Sequence, residues 1–223
     1  MIKIEIKNIK NLQKLNEYIK ENEIKLVLFA ETHGFLDETP IQKEILDNTK
    51  FDAVLYELLE DKELLSEEDF KRFLSKEDEE NFSIISKYKE LKPTIILARE
   101  NNLPIIGCDL KNTGRTDTSF RTKEFNDEEL KEDERLMKRR EEKQYQVIHR
   151  FLKKDKKIFA TIGLYHLLPD SYLIKNLSKI KFIIVYPEFK SGEKFGQRVD
   201  FDKEEVYHKI KTSNEYLEDE IKN

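Results

Sequence analysis

The sequence predicts an α/β protein, a mostly parallel central sheet flanked by helices and carrying a helical insertion. Three observations lead there. Leu26-Val27-Leu28-Phe29-Ala30 is an unbroken apolar run, and a strand without alternation is one buried on both faces, as parallel strands are. Similar runs recur at Ala53–Leu55, Ile105-Ile106, Ile158–Ile162 and Phe182–Tyr186, separated by stretches of helical pattern. Several of these runs close on a titratable group, namely Glu31, Glu57, Asp109 and, just past Gly163, His166. The carboxyl edge of an open α/β sheet is where such folds place their ligands.

The chain order supports each element. Ile2, Ile4 and Ile6 alternate as in an edge strand, and Asn8 is placed to cap a helix carrying Leu12, Leu15 and Ile19. The main strand is expected over 24–31. A helix should run from Asp37 to Asn48, with Pro40 in its first turn, where a missing N–H costs nothing. Phe51 to Glu57 forms the next strand. Residues 58–92 are acidic and helical in pattern. Their apolar residues Phe70, Phe73, Leu74, Phe82, Ile84 and Ile85 are broken up by charge, which suits an insertion or lid better than core.

Pro93 opens a helix to Glu100, and Pro104 to Asp109 is the third buried strand. The polar stretch 111–125 is an aperiodic loop at the same edge, where long loops tend to be functional. Asn126 with Glu129 resembles a capping box for a helix reaching about Lys154. Strands over Ile158–Ile162 and Phe182–Tyr186 frame a helix beginning at Pro169. An edge strand near Gln197–Phe201 and a helix over 203–221 complete the expected order.

Charged residues make up 39% of the 223 residues and the hydrophobic class 38%, with a net charge of −5. With no repeat or linker, residues 1–223 read as a single domain. Both signs of charge are interleaved, so no basic footprint argues for nucleic acid. The single Cys108 excludes an intramolecular disulfide and fits a reducing compartment. It sits in an apolar strand and reads as a small core residue, not a nucleophile. No apolar segment approaches the ~20 residues of a membrane span. The expectation is a soluble cytoplasmic protein without membrane or nucleic-acid partners, acting on a small-molecule or peptide substrate.

Right-handed crossovers put the carboxyl ends of parallel strands on one side, so Glu31, His33, Glu57, Asp109 and His166 are expected on one rim. Buried acids and imidazoles need partners, and here the nearest partners are each other. On the long helix, Leu130, Leu136, Met137, Val147, Ile148, Phe151 and Leu152 define an apolar stripe at 100° per residue. Arg140, Glu141 and Gln144 fall inside it, whereas Arg135, Arg139 and Arg150 project from the other side. A guanidinium facing the sheet needs an anionic partner, so Arg140 is expected in the site.

Taken in order, Glu31-Thr32-His33-Gly34, Tyr56-Glu57, Arg140-Glu141 on the long helix and Gly163-Leu164-Tyr165-His166 resemble the erythromycin esterase / ChaN-like / TraB–Tiki group. That group carries a strand-end Gly-Glu-x-His, a second strand-end Glu, an Arg-Asp/Glu-x-x-Met helix and a Gly-x-x-His. The resemblance spans about residues 24–188, with Ala30 at the first Gly and Gln144 at the Met. It implies a hydrolase of an ester, amide or related bond.

Two mechanisms are open. His33 could act as general base, held by Glu31 or Glu57, with His166 or Arg140 stabilising the oxyanion. Alternatively His33, Glu57 and His166 could bind a divalent metal that activates water, as in TraB/Tiki-like peptidases. A third reading is haem or iron binding of the ChaN-like kind, with Tyr165 or Tyr56 as iron ligands. Asp109 and Tyr165 are candidate substrate-binding residues. The loop residues Arg115 and Arg121 could hold an anionic substrate group. Residues 113–116 lack P-loop spacing.

Overall fold

The computed structural model describes residues 2–6, 9–31, 38–75, 91–111 and 127–187. His33, Arg115 and Arg121, the apolar residues Phe82, Ile84 and Ile85, the capping residues Asn8 and Asn126, and the elements expected after residue 188 lie outside that range.

The strands are β1 (Ile2–Ile6), β2 (Leu26–Glu31), β3 (Ala53–Tyr56), β4 (Glu63–Leu64), β5 (Ile105–Gly107), β6 (Ile158–Gly163) and β7 (Phe182–Pro187). They form one sheet in the order β1-β7-β2-β6-β3-β5-β4. Every pairing is parallel except β4 with β5, which is antiparallel at the edge. The helices are α1 (Ile9–Glu21), α2 (Thr39–Asn48), α3 (Glu67–Leu74), α4 (Leu91–Glu100), α5 (Asp127–Leu152) and α6 (Tyr172–Leu177).

Alternation along the central strands feeds two apolar layers. Val27, Phe29, Val54, Tyr56 and Phe159 pack with α1, α2, α3 and α4. Leu28, Leu55, Ala160 and Ile162 pack with Val147 and Ile148 of α5 and with Leu173 and Leu177 of α6. Both faces of β2, β3 and β6 are thereby covered, which is why these strands carry no polar alternation.

Several boundaries differ from the sequence reading. Glu57 is not the last residue of β3 but opens a single 3₁₀ turn, Glu57–Leu59. Asp109 stands two residues beyond β5. Pro93 lies in the first turn of α4 without starting it. Pro169 likewise precedes α6, whose cap is Ser171 accepting from the Ile174 N–H. The described part of the 58–92 segment also joins the core more than its charge suggested. Leu64 adds an edge strand, and Phe70 and Phe73 are buried against α4 and the sheet. The aromatic rings sit at one face of α3 with its charges opposite, so a charge-interrupted sequence still buries a stripe.

A tight turn joins the β3 end to β4, and it lies against β5. Glu60 adopts φ 55° and ψ −114°, the first central position of a II′-like turn, where glycine is the unstrained choice. The Gly107 N–H donates to the Lys62 carbonyl at 2.7 Å and the Asp109 N–H to that of Glu60 at 3.0 Å. A Cβ on Gly107 would stand 2.2 Å from the Glu60 carbonyl oxygen, a backbone atom that cannot swing aside. Gly107→Ala is therefore expected to cost about 2–3 kcal/mol, read as a melting temperature roughly 5–10 °C lower. An unchanged melting curve would mean that the turn yields freely.

Candidate functional site

The sheet order places three strand ends side by side, β6, β3 and β5. They carry His166 in the 3₁₀ turn Leu164–Leu167, Glu57 in the turn after β3, and Asp109 just past β5. Helix α5 crosses above and turns Arg140, Glu141, Gln144, Val147 and Ile148 inward, all buried. Arg135, Arg139 and Arg150 are exposed, as the helical period requires.

Arg140 joins two of the strands. Its Nε donates to Asp109 Oδ2 at 2.9 Å and Oδ1 at 3.1 Å, and its Nη2 to Asp109 Oδ2 at 2.5 Å and Glu57 Oε1 at 2.6 Å. Glu57 Oε2 accepts the Gly163 N–H at 2.6 Å, so the middle carboxylate is tied to both neighbours. Asp109 Oδ1 also accepts from the Leu110 N–H at 2.7 Å. Such charge-assisted, forked hydrogen bonds are short and directional.

His166 occupies the other flank. Its Nδ1 lies 3.2 Å from Glu141 Oε1, and its Nε2 lies 3.4 Å from Glu57 Oε1. Glu141 is itself held by the Tyr172 N–H at 2.6 Å. Burial disfavours the imidazolium. The Glu57 charge and the hydrogen bonds with Glu141 and Glu57 outweigh burial and the opposing Arg140, and the pKa sits above the ordinary 6.5. With His166 charged, two cations face the three carboxylates Glu57, Asp109 and Glu141.

The expected rim is thus assembled in part. Glu57, Asp109, Arg140 and His166 converge, and Glu141 joins them. Glu31 reaches the same edge but turns to the opposite layer, continuing the alternation of Val27 and Phe29, and accepts the Tyr56 hydroxyl at 2.9 Å. That corrects the placement of Glu31 beside the His166 cluster. It also commits the buried Tyr56 hydroxyl, which the sequence offered as an iron ligand. Tyr165 points outward at 37% exposure. Cys108 is fully buried, and burial raises its thiol pKa further, with Glu57 and Asp109 adding to the effect; a thiolate nucleophile is disfavoured there.

Sequence reasoning placed Glu141 in the inward stripe but gave it no role. The signal that could have found it is the i, i+1 pair Arg140-Glu141, which puts an acid beside a helix-borne cation above the His166 turn. The anchoring N–H groups of Gly163 and Tyr172 are backbone donors and have no residue signature.

The described part of the donor set is committed to other partners, and His33 lies outside the described residues. Glu57 gives its oxygens to Arg140 and Gly163, and both His166 nitrogens face carboxylates. Among the described residues no group of three His, Cys, Asp or Glu side chains is placed to hold a metal ion. No family model matches this chain, and neither does any curated protein or solved structure.

Two predictions follow from this geometry. A pKa raised in the folded state brings stability that is complete below about pH 6.5 and is lost as pH rises through the folded value. The stability difference between wild type and His166→Gln in urea melts should therefore be largest near pH 6 and shrink steadily toward pH 9; a difference that grows with pH would overturn the assignment. One helical turn along, both amide atoms of Gln144 are buried without a hydrogen-bond partner among the described residues, a cost of about 1–3 kcal/mol. Gln144→Met keeps the volume and removes both orphans, so it should raise the melting temperature by roughly 2–6 °C, measured by calorimetry.

Proposed function

We propose that this chain is a hydrolase of an ester, amide or related bond, of the erythromycin esterase / ChaN-like / TraB–Tiki type. The observation that supports it best is His166 held between Glu57 and Glu141, beside an arginine locked onto Glu57 and Asp109, at the carboxyl edge of a parallel sheet. Perturbed titratable groups concentrated at such an edge mark functional sites.

In this reading His33, two residues after Glu31 in the chain, takes the proton from the attacking water. His166 supplies a positive N–H to the developing oxyanion or to the leaving group. Its Nε2 contact with Glu57, at 3.4 Å, is longer than an ordinary hydrogen bond, so that N–H is the one able to turn toward substrate. Glu141 fixes the ring through Nδ1. Arg140 acts as a positioning residue that holds Glu57 and Asp109 in place, and Tyr165 offers an exposed ring for substrate contact. The described part of the donor set favours metal-independent chemistry.

The test is a panel of chromogenic esters and anilides with purified protein, with and without EDTA. Turnover is expected to survive EDTA. It should fall by about 10²–10⁴ in kcat/KM for His33→Ala and for His166→Gln. Full activity in both variants, or none of the panel turned over by wild type, would overturn the reading; a Soret band in the purified protein would favour haem binding instead.

A further inference from the structure

At the opposite edge of the sheet, where the strands begin, the surface carries the other sign of charge. A cleft of about 410 Å³ opens between the end of α5 and the turn before β7, with Lys25, Lys153, Lys179 and Lys181 around it and a single acid, Glu23. Its apolar floor is Leu152 and Ile180, both half-buried against the core. A second hollow of about 390 Å³ shares His149 and Lys153 with it and adds Tyr145, Arg150 and Lys154. There the Tyr145 and His149 rings stack at 5.3 Å and 16°.

Two of these six cations have carboxylate partners, Lys25 with Asp155 and Arg150 with Glu63. Lys181 donates to the Asn22 carbonyl at 2.9 Å and keeps its charge uncompensated. Among the described residues Lys153, Lys154 and Lys179 pair with no carboxylate. Basic residues on the last turn of a helix and just past it complement the partial negative charge there, which accounts for Arg150, Lys153 and Lys154. It does not account for Lys25, Lys179 and Lys181, which come from segments outside α5 yet gather at the same cleft. On a chain of net charge −5, this is a concentration of positive charge against the average.

We infer that this paired cleft is a binding site for a phosphorylated small molecule with a planar aromatic portion, distinct from the His166 cluster and therefore suited to an effector. The lysine ammonium groups are compact charges that suit phosphate oxygens. The stacked Tyr145–His149 pair lines the second hollow with aromatic surface, the kind of wall that a flat group packs against.

Calorimetric titration of the full chain with ATP and with inorganic pyrophosphate, at roughly 150 mM salt to screen diffuse attraction, decides it. Both probes should bind saturably. The double substitution Lys153→Glu with Lys179→Glu should weaken both about tenfold or more, while Lys153→Arg with Lys179→Arg retains them. Tyr145→Ala should weaken ATP about fivefold or more and leave pyrophosphate unchanged. The residues reversed in charge are exposed, so circular dichroism should show a folded protein melting within about 5 °C of wild type, the loss expected from reversing one charge at a helix end. Failure of both probes to saturate, or affinities indifferent to the charge reversal, would overturn the site. An ATP affinity untouched by Tyr145→Ala would overturn the aromatic requirement, and much tighter binding of a thymidine oligonucleotide would replace the small molecule with a nucleic acid.

Discussion

The carboxyl edge of this sheet depends on one guanidinium. Glu57 and Asp109 stand just past the ends of neighbouring strands and are almost wholly buried; two like charges there would repel in a medium that screens poorly. Arg140 lies against both, at 8% exposure, and makes their proximity tolerable. Removing such a partner is costly because it leaves buried charge uncompensated. The same contact fixes the rotation of α5. Once Arg140 faces β3 and β5, the helical period delivers Glu141 to His166, and Gln144, Val147 and Ile148 to the sheet.

Much of this could be read from the residues. Apolar runs in β2, β6 and β7, broken only by Thr161 in β6 before the strand ends, identified buried parallel strands because both faces are covered, and the inward stripe of α5 separated Arg140 from Arg135, Arg139 and Arg150 correctly. What sequence could not supply is the side of the sheet on which each strand-end group lands. Glu31 and Glu57 look alike in the chain, each a glutamate closing an apolar run. Glu31 keeps the parity of Val27 and Phe29 and faces the layer of α1 to α4, whereas Glu57 keeps the parity of Ala53 and Leu55 and faces α5. A strand apolar on both faces does not show which parity meets α5, so the chain alone leaves membership of the site open. Phe70 and Phe73 were hidden for a related reason: a helix of eight residues buries two aromatic rings while most of its positions remain charged.

The sheet has a polarity in charge as well as in direction. Its carboxyl edge gathers buried acids, with a histidine and an arginine set among them, and its amino edge gathers exposed lysines. The two ends differ in kind. At the first, Glu57, Asp109, Arg140 and Glu141 are buried and joined by short hydrogen bonds. At the second, ammonium groups stand in solvent above a small apolar floor. Low dielectric makes the first sensitive to each single charge, and salt moderates the second.

The contact between Gly107 and the Glu60 carbonyl ties chemistry to an outlying part of the chain. Asp109 hangs from that turn by its own N–H, so the acid that Arg140 grips is located by a bend at the sheet margin. Inheritance at positions 60 and 107 should consequently travel together: a lineage acquiring a side chain at 107 would have to rebuild the bend before it could keep the arginine clasp.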